Sequence, residues 1–98
     1  MDKLLFANTL IKIWEDYNNL DNSIKNEIRD NNQEYNNILN KLFEIHENTD
    51  KYTIKEFDDL NKKLKEIEAK NYELRGKMDN CIKDRFNEIN SLIDNYKN

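Results

Sequence analysis

From residue 57 onward apolar side chains recur every third or fourth position: Phe57, Leu60, Leu64, Ile67, Leu74, Met78 and Cys81. Alternating steps of three and four are the a and d spacing of a heptad, which lines apolar groups along one side of a helix. The spacing then slips by one residue and resumes as Ile82, Phe86, Ile89, Ile93 and Tyr96. Such a slip changes the local winding of a 3.5-residue repeat, and Gly76 lies just ahead of it. A bend or rewinding is therefore expected between about 76 and 82.

The start of this helix is well marked. Thr53 and Glu56 have the spacing of a capping box, and Tyr52 with Phe57 that of the hydrophobic staple around it. Acid-first pairs four residues apart, among them Asp58/Lys62, Glu66/Lys70 and Asp79/Lys83, each add a few tenths of a kcal/mol on a helix surface. A helix over 54–96 is roughly 60 Å long at about 1.5 Å per residue. A compact globule of this chain length has a radius of gyration of only about 13 Å, so an elongated molecule is expected.

The first half repeats the pattern less cleanly. Leu10, Ile13, Tyr17 and Leu20 keep the spacing; Ile28, Tyr35, Ile38, Leu42 and Ile45 keep it in a shifted frame, with Ile24 between. Two readings follow. Either one helix runs over 3–47 with a four-residue stutter, or it is kinked or split near 18–23, where Asp21, Asn22 and Ser23 can cap a new start, giving three helices. Asp30 to Gln33 has no apolar residue and reads as a weakly held turn of helix. Periodicity stops at 48–53, the one clear turn. The predicted fold is all-α: a single coiled-coil domain over 1–98, an antiparallel hairpin of helix 3–47, turn 48–53 and helix 54–96.

Composition agrees and adds a deficit. With one glycine, no proline and no valine in 98 residues, the chain lacks the materials of turns and β-branched strands. Hydrophobic residues make up 37% and charged residues 37%, a thin apolar supply for a folded domain. Two facing stripes bury less than a three- or four-helix bundle does, so completion by oligomerisation is expected. The N-terminal segment strengthens this, because Leu4, Leu5, Phe6, Leu10, Ile11, Trp14 and Tyr17 cover more than one narrow stripe. These seven are the predicted partner interface, with Trp14 as the anchor type enriched in binding hot spots.

Charge narrows the partners. A net charge of −4 and a pI near 5 disfavour nucleic acid, whose binding needs a basic face to displace counterions. The eight lysines and arginines within 60–85 are spread around the helix. No run approaches the roughly 20 apolar residues of a membrane span, Leu4 to Ile11 makes a poor signal peptide, and Lys3 and Lys12 are too few for a membrane-surface helix. A cytosolic or nuclear protein with protein partners is the expectation, without nucleic acid or membrane.

Candidate chemistry is sparse. His46 is the only histidine, and the field of a helix C-terminus explains it. Cys81 is the only cysteine; it cannot pair internally or hold a zinc ion alone, and at a seam position it acts as a small hydrophobe. No phosphate loop, zinc-protease motif or paired-cysteine motif occurs, so no cofactor, metal or catalytic residue is expected. Asn71 interrupts the apolar seam at an a position, where such a residue fixes register. Gly76 allows a bend or a close helix approach. These three, Asn71, Gly76 and Cys81, are the predicted register and packing positions.

The predicted function is a non-enzymatic coiled-coil assembly or adaptor subunit within a homo-oligomer or hetero-complex. The alternative is a small helical inhibitor or secretion partner docking on one larger protein. Helical-hairpin substrates of specialised bacterial secretion are similar in length and shape, but their turn carries Trp-x-Gly. The turn here reads His-Glu-Asn-Thr-Asp with Trp14 far away, so membership of that family is not inferred.

Overall fold

The computed structural model describes residues 2–97, which form two helices and no strand. Helix α1 spans Lys3–Glu47 and helix α2 spans Ile54–Lys97. A single 3-10 turn, Thr49–Lys51, joins them, and the helices pack against each other as a helical hairpin.

Both starts are capped by side chains. The Leu5 amide donates to the Asp2 carboxylate at 2.7 Å, satisfying one of the amides that a helix N-terminus leaves unpaired. At α2 the capping box closes in both directions: the Glu56 amide donates to Thr53 Oγ1 at 3.2 Å, and the Thr53 amide to the Glu56 carboxylate at 3.1 Å. Tyr52, the outer member of the expected staple, turns toward α1. Its hydroxyl donates to Glu44 at 3.2 Å and its ring lies under Lys41, leaving Phe57 half exposed. Thr53→Ala, which removes the cap acceptor, is expected to cost about 1 kcal/mol in urea unfolding.

Helix α1 is unbroken through 18–23, so the chain has two helices and not three. Asp21, a candidate cap, instead holds Lys25 at 2.9 Å one turn further along the same helix. Helix α2 is likewise continuous through 76–82. Nothing lies within 4 Å of the place a Cβ would take on Gly76, and its φ is not positive. Within this chain the glycine therefore makes no close approach to α1 and needs no left-handed backbone. Gly76→Ala is expected to raise stability by about 1 kcal/mol, since alanine restricts the unfolded chain and favours helix at no steric cost; a thermal melt followed by circular dichroism measures it.

Packing divides into two compact units, Met1–Lys25 with Arg75–Asn98, and Asn26–Leu74. The second unit holds the turn. Its core is Ile38 of α1 against Leu64 and Ile67 of α2, flanked by Tyr35, Leu39, Leu42 and Leu60. All but Leu39, which stands next to Ile38, sit at three- or four-residue steps of the seam. At the level of Asn71, which is only 6% exposed, apolar packing gives way to a layer of amides. Asn31 Nδ2 donates to Asn71 Oδ1, and Asn71 Nδ2 to Asn32 Oδ1, both at 3.0 Å. Asp30 to Gln33, with no apolar residue, is thus helix held by side-chain amides.

Polar contacts flank this core. Lys70 reaches Glu27 at 3.7 Å, while Asp58 and Lys62 pair at 3.0 Å along α2. The Tyr35 hydroxyl donates to Glu68 at 3.1 Å, and that bond, followed by the negative charge of Glu68, raises its pKa above the ordinary 10.0. A phenol whose folded pKa is raised stabilises the fold fully below its unfolded value and loses that contribution as pH climbs through the folded one. Between pH 9 and 11 the thermal midpoint is therefore expected to fall less in Tyr35→Phe than in the parent chain.

Candidate interaction surface

The first unit, Met1–Lys25 with Arg75–Asn98, contains all seven residues of the expected interface. Three of them face the hairpin seam. Phe6 meets Tyr96 with ring centroids 4.6 Å apart and planes tilted by 42°, and Leu10 and Tyr17 are half-buried. Burial raises the Tyr17 pKa, and the carboxylates of Glu88 and Asp84 add to it. The other four, Leu4, Leu5, Ile11 and Trp14, lie exposed, from 43% at Trp14 to 72% at Leu4.

On α2 the seam takes a different course from the one its hydrophobic residues suggest. Cys81 is half-buried, and the next seam position is Arg85, followed by Ile89, the buried Leu92 and Tyr96. Ile82 and Phe86, expected inside, are 50% and 66% exposed. The reason is in the frame: steps of three and four from Leu74 through Met78 and Cys81 arrive at Arg85, and the helix does not rewind to admit Ile82. The Arg85 guanidinium spreads over the Trp14 ring, 4.6 Å from its centroid, so a charged residue keeps the seam filled while its polar end stays near water.

The two sides of this unit differ in chemistry. On one, a cavity of about 360 Å³ is lined by Thr9, Ile13, Glu88, Ser91, Leu92 and Asn95 among others, and a second of about 280 Å³ by Asp16, Tyr17, Leu20 and Glu88. Both are open; the first carries hydroxyl, amide and carboxylate groups, the second two carboxylates and a phenol. On the other, Ile11 and Trp14 of α1 and Ile82 and Phe86 of α2 present apolar groups to solvent. This division follows from helix phase. At about 100° per residue, Trp14 and Ile11 lie about 70° and 130° round from the α1 seam, and Ile82 and Phe86 about 60° and 100° round from the α2 seam, all in the same sense. Rotation in one sense on two antiparallel helices brings side chains to one side of the pair. The stacking of Arg85 on Trp14 fits that placement.

Asn71 lies in the amide layer of the other unit, Cys81 is a free thiol on the seam, and Gly76 is exposed. His46 sits exposed in the last turn of α1. Among the described residues no three His, Cys, Asp or Glu side chains are grouped to hold a metal ion, and no helix is long and apolar enough to cross a membrane. Neither a protein-family model, nor a curated protein, nor a solved structure matches this chain.

Proposed function

We propose that this protein is a non-enzymatic coiled-coil assembly subunit, acting in the cytosol or nucleus, that joins a complex by packing its helices against another protein surface. One observation carries the reading: the apolar side chains of Ile11, Trp14, Ile82 and Phe86 lie on one side of the first unit and are at least two-fifths exposed in the isolated chain. A chain with so little apolar material gains nothing for its own fold by leaving four large side chains in water. Large apolar side chains gathered on one side of a helix pair are the kind of exposed surface that interaction sites use.

The test is crosslinking in native cells at endogenous level, followed by recovery of the chain and comparison with Ile11→Asn. Ile11 is outside the seam, so the variant keeps its helicity and is expected to lose its crosslinked partners. A variant that retains every partner removes this surface, and with it the reading.

A further inference from the structure

We propose that the first unit, Met1–Lys25 with Arg75–Asn98, is a built-in opening element: its helices part while the second unit, Asn26–Leu74, stays folded. The inference goes beyond the assembly reading and holds or fails without it.

Chain order is the first argument. The second unit is one continuous stretch, 26–74, whose two helices are joined by the short connection 48–53. Its own sequence brings its two sides together. The first unit is built from two segments with the whole of 26–74 between them. The entropy cost of bringing two segments together grows with the length of chain that separates them, so the helices of the first unit meet most cheaply when the second is already folded. The second unit does not depend on the first in this way.

Burial divides the same way. Among the described residues eight are buried; Ile38, Ile45, Leu64, Ile67, Asn71 and Leu74 belong to the second unit, and only Ile24 and Leu92 to the first. Ile24 stands next to the limit of its unit, which leaves Leu92 as the one buried side chain well inside it. Apolar burial is the main favourable term in folding, so the unit with less of it separates at lower cost.

The polar contacts sharpen the contrast. In the second unit Asn71 exchanges hydrogen bonds with Asn31 and Asn32, Tyr35 bonds Glu68, and Lys70 reaches Glu27. Parting the helices at this level strips a buried amide of both its partners, so the layer resists partial opening. In the first unit the contacts across the seam are Phe6 with Tyr96, Arg85 over Trp14, and the Tyr17 hydroxyl at Glu88. Guanidinium, carboxylate and phenol hydroxyl groups are readily taken up by water, so exposing them costs less than exposing Ile38, Leu64 and Ile67. The exposed Ile11, Trp14, Ile82 and Phe86 all belong to the unit that opens. Opening therefore also frees the seam side chains Leu10, Ile13 and Ile89, and the helices can take up a different pairing while 26–74 stays intact.

The test is native-state hydrogen exchange of the full chain, read amide by amide by NMR. Relative to their unstructured rates, amides of 10–20 and 80–90 are expected to exchange at least about tenfold faster than amides of 35–45 and 60–70. Leu64→Ala is expected to speed exchange in the second unit and to leave the first unit's rates unchanged, because separate opening of the first does not break the contacts of Leu64 with Ile38 and Ile67. Ile38→Val, a smaller loss in the same core, carries the same expectation and remains readable if Leu64→Ala fails to fold. Equal protection of the two units overturns the proposal, as does a first unit better protected than the second. An Ile38→Val or Leu64→Ala protein in which both units speed up alike overturns it as well, because the chain then opens as a whole.

Discussion

Leu64→Ala is expected to lower the free energy of unfolding by about 2–4 kcal/mol, the range for deleting a buried leucine where the surroundings close in only partly. Leu64 is 8% exposed and packs with Ile38 and Ile67. Against a domain stability of only about 5–15 kcal/mol, and with few alternative contacts in a two-helix core, that is a large share. Phe43→Ala is the control. Phe43 is the larger side chain but is 66% exposed, so its loss is expected to stay within about 0.5 kcal/mol. Urea unfolding followed by circular dichroism separates the two; equal losses would mean that the seam does not hold the second unit together.

Asn71→Leu is expected to act in the opposite direction, raising stability by about 1 kcal/mol while relaxing specificity. Asn71 is the buried member of its layer, and replacing a buried amide with an apolar side chain of similar length favours the folded state when the former partners can turn to water. They can, since Asn31 is half-buried and Asn32 exposed. What goes is the requirement that amide meet amide, the function of a lone polar residue in an apolar seam. Without it, hairpins that open and exchange helices with one another no longer strand a polar group in an apolar layer. Size-exclusion chromatography with light scattering is expected to show additional, larger species in Asn71→Leu that the parent lacks. A variant less stable than the parent would mean that the amide bonds themselves carry net stability.

The residues differ in how much they reveal before any coordinates. Helix limits are legible because they are set locally: Thr53 and Glu56 are neighbours that satisfy each other's backbone amides, and the turn lacks apolar periodicity. The amide layer is half legible. Asn71 stands out as the one polar residue in a regular heptad, but Asn31 and Asn32 sit in a polar stretch and gain their role only from the facing helix. At 18–23 the sequence offers caps, yet the cost of starting a helix afresh exceeds that of continuing one through a stutter.

Ile82 and Phe86 are the instructive failure. Hydrophobicity alone places them inside, whereas the frame running through Cys81 places Arg85 there. Reading the seam by its step length and not by residue type would have left both residues outside, next to Trp14. The candidate surface is therefore only partly visible in the sequence, through the α1 surplus of Leu4, Ile11 and Trp14. Its α2 half depends on which residue completes the seam.

Trp14 also has an optical consequence. It is the only tryptophan and belongs to the first unit, against the Arg85 guanidinium. Its emission therefore reports on that unit alone, while ellipticity sums the helices of both. Monitoring the two signals together during denaturation resolves whether the first unit opens before the second, with no label introduced: coincident curves mean one cooperative transition, and an earlier change in emission means that the end bearing the apolar surface comes apart first.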